Sequence, residues 1–154
     1  MIGAIILKSM LDRTGTDQIN QRDVEQLLSH WTDDAVLIYP GNLPFSGALR
    51  GRAMLTAFFE IYLEQFPQLE FTAQDTFISN MFAIGLNNTV AIETATKYTN
   101  RWGDTYENSV TSILKLKWGK VWYDKDYYFD VHTLNKAWEG ADLGRLEEYL
   151  PPRA

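Results

Sequence analysis

The chain has 154 residues, of which 45% are apolar, and these values indicate one globular domain and exclude a wholly disordered chain. Its 14 basic and 20 acidic residues give a net charge of −6, so nucleic acid is not an expected partner. Because the chain has no cysteine, disulfides, thiolate metal sites and a cysteine nucleophile are all excluded.

The first half of the chain has mostly helical spacing of its apolar residues. This spacing predicts a first helix at 3–13 and a second that begins near a cap at Asn20 and includes Trp31. A short strand at 35–39 follows, and the loop at 40–47 is rich in proline and glycine.

A long third helix is predicted to begin at Gly51 or Arg52 and to stop at Pro67. From Gln68 the apolar period changes to two, which predicts strands at 69–79, 88–102, 105–118 and 120–132. The joints between these strands are short, so neighbours should be antiparallel. A last helix is predicted near 133–149.

No segment near the start of the chain has the pattern of a targeting signal. The longest apolar run there, Ala4 to Leu7, ends at Lys8, and no run approaches the roughly 20 residues of a membrane span. We therefore expect a cytoplasmic protein without a membrane partner.

Helices combined with a long antiparallel sheet predict the α+β class. A curved sheet could wrap around the third helix and leave a hollow suited to a small molecule. A filled core without a cavity fits the same periodicity, so both alternatives stay open.

Signatures of known catalytic motifs are missing from the sequence. It contains no phosphate-binding glycine loop and no nucleophile elbow. Its two histidines, His30 and His132, lie far apart and form no ligand pair, so we expect no metal. We interpret His30 as a helix-end residue and His132 as a surface residue.

A cluster of carboxylates and aromatic rings occupies the last predicted strand. Alternation would place one set of residues on a common face: Trp122, Asp124, Asp126, Tyr128 and Asp130. Patterning alone directs this acidic face to solvent. The functional alternative directs Asp126 into the hollow, where burial and Asp124 would raise its pKa and fit it for acid–base catalysis. A bulge could turn Asp124 outward while Asp126 points inward.

Three segments together resemble a known family: 30–41 (HWTDDAVLIYPG), 103–108 (GDTYEN) and 125–130 (KDYYFD). Their order and spacing are similar to those of SnoaL-like proteins in the nuclear-transport-factor-2-like superfamily, over about residues 15–132. That superfamily includes ketosteroid isomerase and limonene epoxide hydrolase. The resemblance implies a cystatin-like conical barrel, in which a curved antiparallel sheet wraps around the N-terminal helices and a C-terminal helix follows. It also implies a pocket and a homodimer.

The same resemblance implies roles for individual residues. Asp126 matches the acid–base aspartate that SnoaL-like cyclases use without a cofactor, and also an aspartate of the epoxide hydrolases. The Arg-x-Asp partner of those hydrolases is absent from 93–102. Tyr39 stands where ketosteroid isomerases carry their base, and no carboxyl matches their oxyanion acid near Ser112. Both of these mechanisms are therefore disfavoured.

We accordingly expect Asp126 to transfer a proton on a carbonyl-activated small molecule, with Tyr39 and Asn108 as hydrogen-bond donors to the oxyanion. The expected partner is an apolar or aromatic molecule. Strand and helix faces give the candidate ligand-binding residues Phe58, Tyr62, Tyr106, Ser112, Trp122, Asp124 and Tyr128. Core packing alone also explains Phe58 and Tyr62. The alternative function is a non-catalytic ligand binder or dimeric scaffold.

Overall fold

The computed structural model describes residues 16–80 and 86–151, so the helix predicted at 3–13 lies outside the described residues. The elements follow in the order α1 (Thr16–Gln21), α2 (Val24–Ser29), β1 (Trp31–Tyr39), β2 (Gly47–Arg50), α3 (Gly51–Gln65), β3 (Gln68–Ile78), β4 (Asn87–Thr99), β5 (Thr105–Lys117), β6 (Lys120–Tyr128), α4 (Val131–Ala137) and α5 (Gly144–Glu147). The predicted α+β class is confirmed.

The described strands form one curved sheet in the order β2-β1-β6-β5-β4-β3. From β3 to β6 each strand pairs antiparallel with the next, as the short joints predict. β1 pairs antiparallel with β2 but parallel with β6, so the sheet is antiparallel except at this pair. The long connection that a parallel pair requires is the whole chain between β1 and β6.

Helix α3 supplies much of the core. Its buried side chains recur at helical spacing and include five large ones: Met54, Leu55, Phe58, Phe59 and Tyr62. Arg52, in the first turn, fixes the helix to the start of β1, because its Nη2 donates to the Trp31 carbonyl oxygen at 2.8 Å and to Asp33 Oδ1 at 3.0 Å. The long helix is thereby held against the start of the sheet.

The region before β1 differs from the sequence prediction. The single helix predicted from Asn20 to Trp31 is two short helices, because Arg22 has a left-handed φ of 62°. Asp23 caps the second helix by accepting the Gln26 N–H at 2.8 Å, and His30 ends it as expected. Trp31 therefore begins β1, four residues earlier than the strand that we predicted.

The C-terminal region closes against the same core. The helix predicted at 133–149 is divided into α4 and α5 around Gly140, which has a left-handed φ of 72°. Trp138, at the end of α4, is only 3% exposed, and its Nε1 donates to the Tyr39 hydroxyl oxygen at 3.0 Å. His132 lies exposed in the first turn of α4. Among the described residues, no helix has the length and apolarity needed to cross a membrane.

Candidate active site

A bulge in β6 decides which side chains of that strand face the interior. Leu116 pairs with Val121 and Lys115 pairs with Tyr123, so Trp122 is the extra residue. Beyond the bulge, alternation directs Asp124, Asp126 and Tyr128 to the same side as Val121. The bulge that we considered is therefore present, but it turns Trp122 outward, and both carboxyl groups face inward.

A cavity of about 120 Å³ lies between the helices and the concave face of the sheet. Its lining is mostly apolar and aromatic, and seven tryptophan, tyrosine and phenylalanine rings contribute to it: Trp31, Tyr39, Phe58, Phe59, Tyr62, Phe71 and Tyr128. Its polar lining comes mainly from the sheet and includes the carboxyl groups of Asp124 and Asp126. No lysine or arginine is among the described lining residues.

Asp126 is held in place by the neighbouring strand. Ser112 on β5 is its direct register partner, and the Ser112 hydroxyl donates to Asp126 Oδ1 at 2.5 Å. Burial raises the pKa of Asp126 to about 6, although the Ser112 hydrogen bond favours the ionised form and lowers it. The carboxyl group can therefore gain or lose a proton close to neutral pH.

Asp124 lies two residues before Asp126 on the same face. It is buried, and its Oδ1 has no hydrogen-bond partner among the described residues. Burial raises its pKa well above the usual range, and the negative charge of Asp126 raises it further. Asp124 is therefore the carboxyl group of this pair that more readily keeps its proton.

Three buried tyrosines add further polar groups to the lining. Burial raises the pKa of Tyr39, Tyr62 and Tyr128, and the nearby charge of Asp126 raises each of them further. A hydrogen bond links the Tyr62 and Tyr128 hydroxyls. Because all three phenols stay protonated at neutral pH, they are hydrogen-bond donors and not bases.

The cavity brings together most of the residues that the sequence singled out. Seven of the ten candidates line it: Tyr39, Phe58, Tyr62, Ser112, Asp124, Asp126 and Tyr128. Phe58 also packs at 5.0 Å from Tyr39, measured between ring centroids, so its core role and its lining role coincide.

The other three candidates lie elsewhere. Asn108 is committed to the backbone of residue 130, because its Nδ2 donates to the Asp130 carbonyl at 2.7 Å and its Oδ1 accepts the Asp130 N–H at 3.0 Å. Tyr106 stacks on Tyr98 with ring centroids 6.0 Å apart. Trp122 is turned out by the bulge and is 39% exposed. None of the three lines the cavity, and Asn108 is not available as the oxyanion donor that we expected.

Several lining residues were not among our candidates. Thr94 is buried and continues the inward face of β4 beyond Ile92, so strand alternation could have identified it. His30 lines the cavity in addition to ending α2. Phe71 alternates with Leu69 at the start of β3, so strand alternation could have identified it too, although most of that strand is exposed. Within the part of the chain that the structure describes, no three acidic or histidine residues are grouped to hold a metal.

Comparisons with known proteins agree with this architecture. A family model described as a SnoaL-like domain matches residues 14–124, more than half of the chain. No curated protein matches this chain.

Solved structures match along most of their length. A protein of unknown function with a cystatin-like fold from Xanthomonas campestris is 21% identical, with a TM-score of 0.71 over 88% of this chain and 97% of that one. TerC, crystallised with polyporic acid, is 16% identical, with a TM-score of 0.69 over 90% of this chain and 99% of that one. A protein from Jannaschia sp. CCS1, described as a candidate SnoaL-like polyketide cyclase, is 15% identical, with a TM-score of 0.64 over 92% of this chain and 94% of that one. At these identities the likeness shows the fold alone.

Proposed function

Because the chain belongs to the SnoaL-like domain family, we propose that it binds a small uncharged molecule in the cavity and moves a proton on it without a cofactor. Asp126 is the general acid and base of this proposal. The observation that carries it is a carboxyl group that lies among aromatic rings and has a pKa of about 6. Such a group takes up and releases protons near neutral pH, as repeated proton transfer requires.

The size and charge of the cavity support a narrow class of ligand. A cavity of about 150 Å³ holds a molecule of benzene, so a volume of about 120 Å³ suits a ligand with a single ring. The described lining offers two carboxyl groups and no lysine or arginine, which disfavours phosphate or carboxylate ligands. The crystallisation of TerC with polyporic acid supports an organic ligand for this fold.

The proposed substrate is a ring ketone or a related carbonyl compound. The Asp126 carboxylate removes a proton from the carbon next to the carbonyl, and negative charge develops on the carbonyl oxygen. Tyr39 can stabilise that charge, because its hydroxyl oxygen accepts from Trp138 Nε1 and its own proton remains available. Aromatic side chains on several sides lower the local polarity, which strengthens these interactions.

A non-catalytic ligand binder is the second candidate. It is favoured by the position of Asn108, whose amide is occupied by the backbone at residue 130 and cannot serve as an oxyanion donor. In that case Asp126 accepts a hydrogen bond from a bound hydroxyl or amine and transfers no proton.

Deuterium exchange separates these candidates without a known natural substrate. Cyclohexanone and 2-cyclohexen-1-one in D₂O would be followed by proton NMR with the wild-type chain, with Asp126→Asn, and with Asp75→Asn as a matched control on the exposed surface of β3. We expect the wild type and the control to accelerate exchange next to the carbonyl, and Asp126→Asn to lose roughly 10²-fold or more of that rate. Equal rates in wild type and Asp126→Asn would contradict catalysis by Asp126. Saturable binding of the ketones without faster exchange would support the binder.

A further inference from the structure

The cavity contains a second carboxyl group that the proposed reaction has not yet used. Asp124 is 7% exposed and lines the cavity, and its Oδ1 has no hydrogen-bond partner among the described residues. Leaving a buried carboxylate oxygen without a donor is costly, so such atoms call for a specific explanation. A partner supplied by a bound ligand explains it directly.

The charges around Asp124 indicate which of its forms occupies the site. The titratable groups that share its cavity are His30, Tyr39, Tyr62, Asp126 and Tyr128. Asp124 and Asp126 lie two positions apart on one face of β6, so strand spacing places their Cα atoms roughly 6.6 Å apart. With no described lysine or arginine in the lining to balance a second negative charge, two ionised carboxylates would repel each other there.

When only one of the two carboxyl groups is protonated, the protonated group is Asp124. Burial and the charge of Asp126 hold its pKa well above the usual range, whereas the Ser112 hydrogen bond favours the ionised form of Asp126. The cavity thus presents a carboxylic acid and a carboxylate side by side, an arrangement in which two similar groups take opposite roles.

We propose that Asp124 is a second catalytic residue, a neutral acid that donates its proton to the carbonyl oxygen of an uncharged ring ketone while Asp126 takes a proton from the adjacent carbon. This inference rests on the proposed function and adds to it the proton donor.

The step balances within the pair. The C–H electron pair becomes the new C=C bond, the carbonyl π pair moves to oxygen, and that oxygen takes the Asp124 proton. The product is a neutral enol, with Asp126 protonated and Asp124 ionised, so the pair carries one negative charge before and after. Return of the enol proton to Asp124, with delivery of the Asp126 proton to a conjugated carbon, would complete an isomerisation.

The first test requires no substrate. The full chain labelled with carboxyl-¹³C aspartate would be titrated by NMR, with Asp124→Asn and Asp126→Asn used to assign the two signals. We expect the Asp124 carboxyl carbon of the wild type to show the chemical shift of the protonated form at pH 7. In Asp126→Asn its titration midpoint should be lower than in the wild type, whether or not the group is still protonated at pH 7. An Asp124 signal that is already ionised at pH 7 in the wild type would overturn the inference.

The second test distinguishes proton donation from a structural role. The probe is 2-cyclohexen-1-one labelled with ¹³C at the carbonyl. Bound to wild type or to Asp124→Asn, its carbonyl signal should move downfield, because an amide can still donate a hydrogen bond. Bound to Asp124→Leu, the signal should move clearly less, because only the Tyr39 hydroxyl then remains as a donor.

Deuterium exchange should fall roughly 10²-fold in both Asp124 variants, because neither can donate a proton. Full exchange in folded Asp124→Leu, with loss in Asp126→Asn, would overturn the role of Asp124 and leave the proposed function intact. Unchanged exchange in Asp126→Asn would remove the proposed function itself.

Discussion

Asp126 lies in a largely apolar environment, so the ionised form of its carboxyl group should destabilise the folded state. Its pKa of about 6 exceeds the value of about 3.9 expected in an unfolded chain, so the folded state holds the proton more tightly. The resulting stabilisation is fully present below about pH 4. It is lost as the pH rises through about 6, because the carboxyl group must then be charged inside the cavity.

Replacement of Asp126 should therefore have a pH-dependent effect on stability. Relative to the wild type, the free energy of unfolding of Asp126→Asn should rise by about 2 kcal/mol between pH 4 and pH 7, less than the full shift implies because the carboxyl group is only partly buried. Urea denaturation at several pH values measures this difference. The Asp75→Asn control should show no such trend, and a difference that stays constant from pH 4 to pH 7 would refute the prediction.

The identity of the key residue was predictable, but its surroundings were only partly so. Asp126 follows from the resemblance at 125–130, whereas patterning alone favoured solvent for its face. The prediction that Asn108 lines the cavity was wrong, because strand alternation indicates the face on which a side chain lies but not its hydrogen-bond partner. The backbone at residue 130 captures its amide where the strand gives way to α4.

Helices and strands whose apolar residues recur at a regular spacing were well predicted from the sequence. The third helix and the four long strands agree with the structure to within a few residues, because each buries one regular face. β2 was missed since four residues after a proline-rich loop carry no period. The bulge at Trp122 was only conditionally anticipated, because an extra residue breaks the alternation by which a strand is recognised.

Helix α4 is fixed to the core mainly through Trp138 at its end. The indole packs against Phe45 with ring centroids 4.8 Å apart and donates to the Tyr39 hydroxyl. Gln65 Nε2 adds a hydrogen bond of 2.8 Å to the Ala137 carbonyl oxygen. Tyr39 lines the cavity, so the docking of this helix also positions a cavity residue.

Substitution of Trp138 by phenylalanine should reveal this connection. The variant loses the indole donor and leaves a void, and we expect the free energy of unfolding to fall by about 2 kcal/mol. Trp118→Phe is the matched control, because Trp118 is 73% exposed and its replacement should change stability by less than about 0.5 kcal/mol. Urea denaturation compares the two variants. Equal stabilities would show that Trp138 does not anchor the helix.

The order of weak motifs predicted the fold of the whole chain, whereas the cavity depends on three-dimensional features that spacing does not encode. Periodicity could not decide between a filled core and a hollow, because both need the same inward-facing residues. Curvature of the sheet and the lengths of the lining side chains determine the remaining volume, and neither can be read from spacing.

We also propose that the protein is a homodimer. The side of β6 opposite the cavity, together with the residues next to it, exposes several aromatic rings: Trp122, Tyr127 and Phe129, the last 90% exposed. Clusters of this kind are enriched at protein interfaces. Multi-angle light scattering should give twice the chain mass of 17.7 kDa, and Tyr127→Glu should shift the mass toward that of one chain. A single-chain mass for the wild type at working concentration would contradict the dimer.

Catalysis by Asp126 depends on the environment of its carboxyl group, and an NMR titration of the side-chain carboxyl carbon measures that environment directly. We predict a midpoint near pH 6 in the wild type and a higher midpoint in Ser112→Ala, because the lost hydroxyl favours the charged form. Ser109→Ala, on the opposite face of β5, should leave the midpoint unchanged. A wild-type midpoint near the ordinary value of 3.8 would show a carboxyl group in contact with bulk water and would contradict catalysis by Asp126.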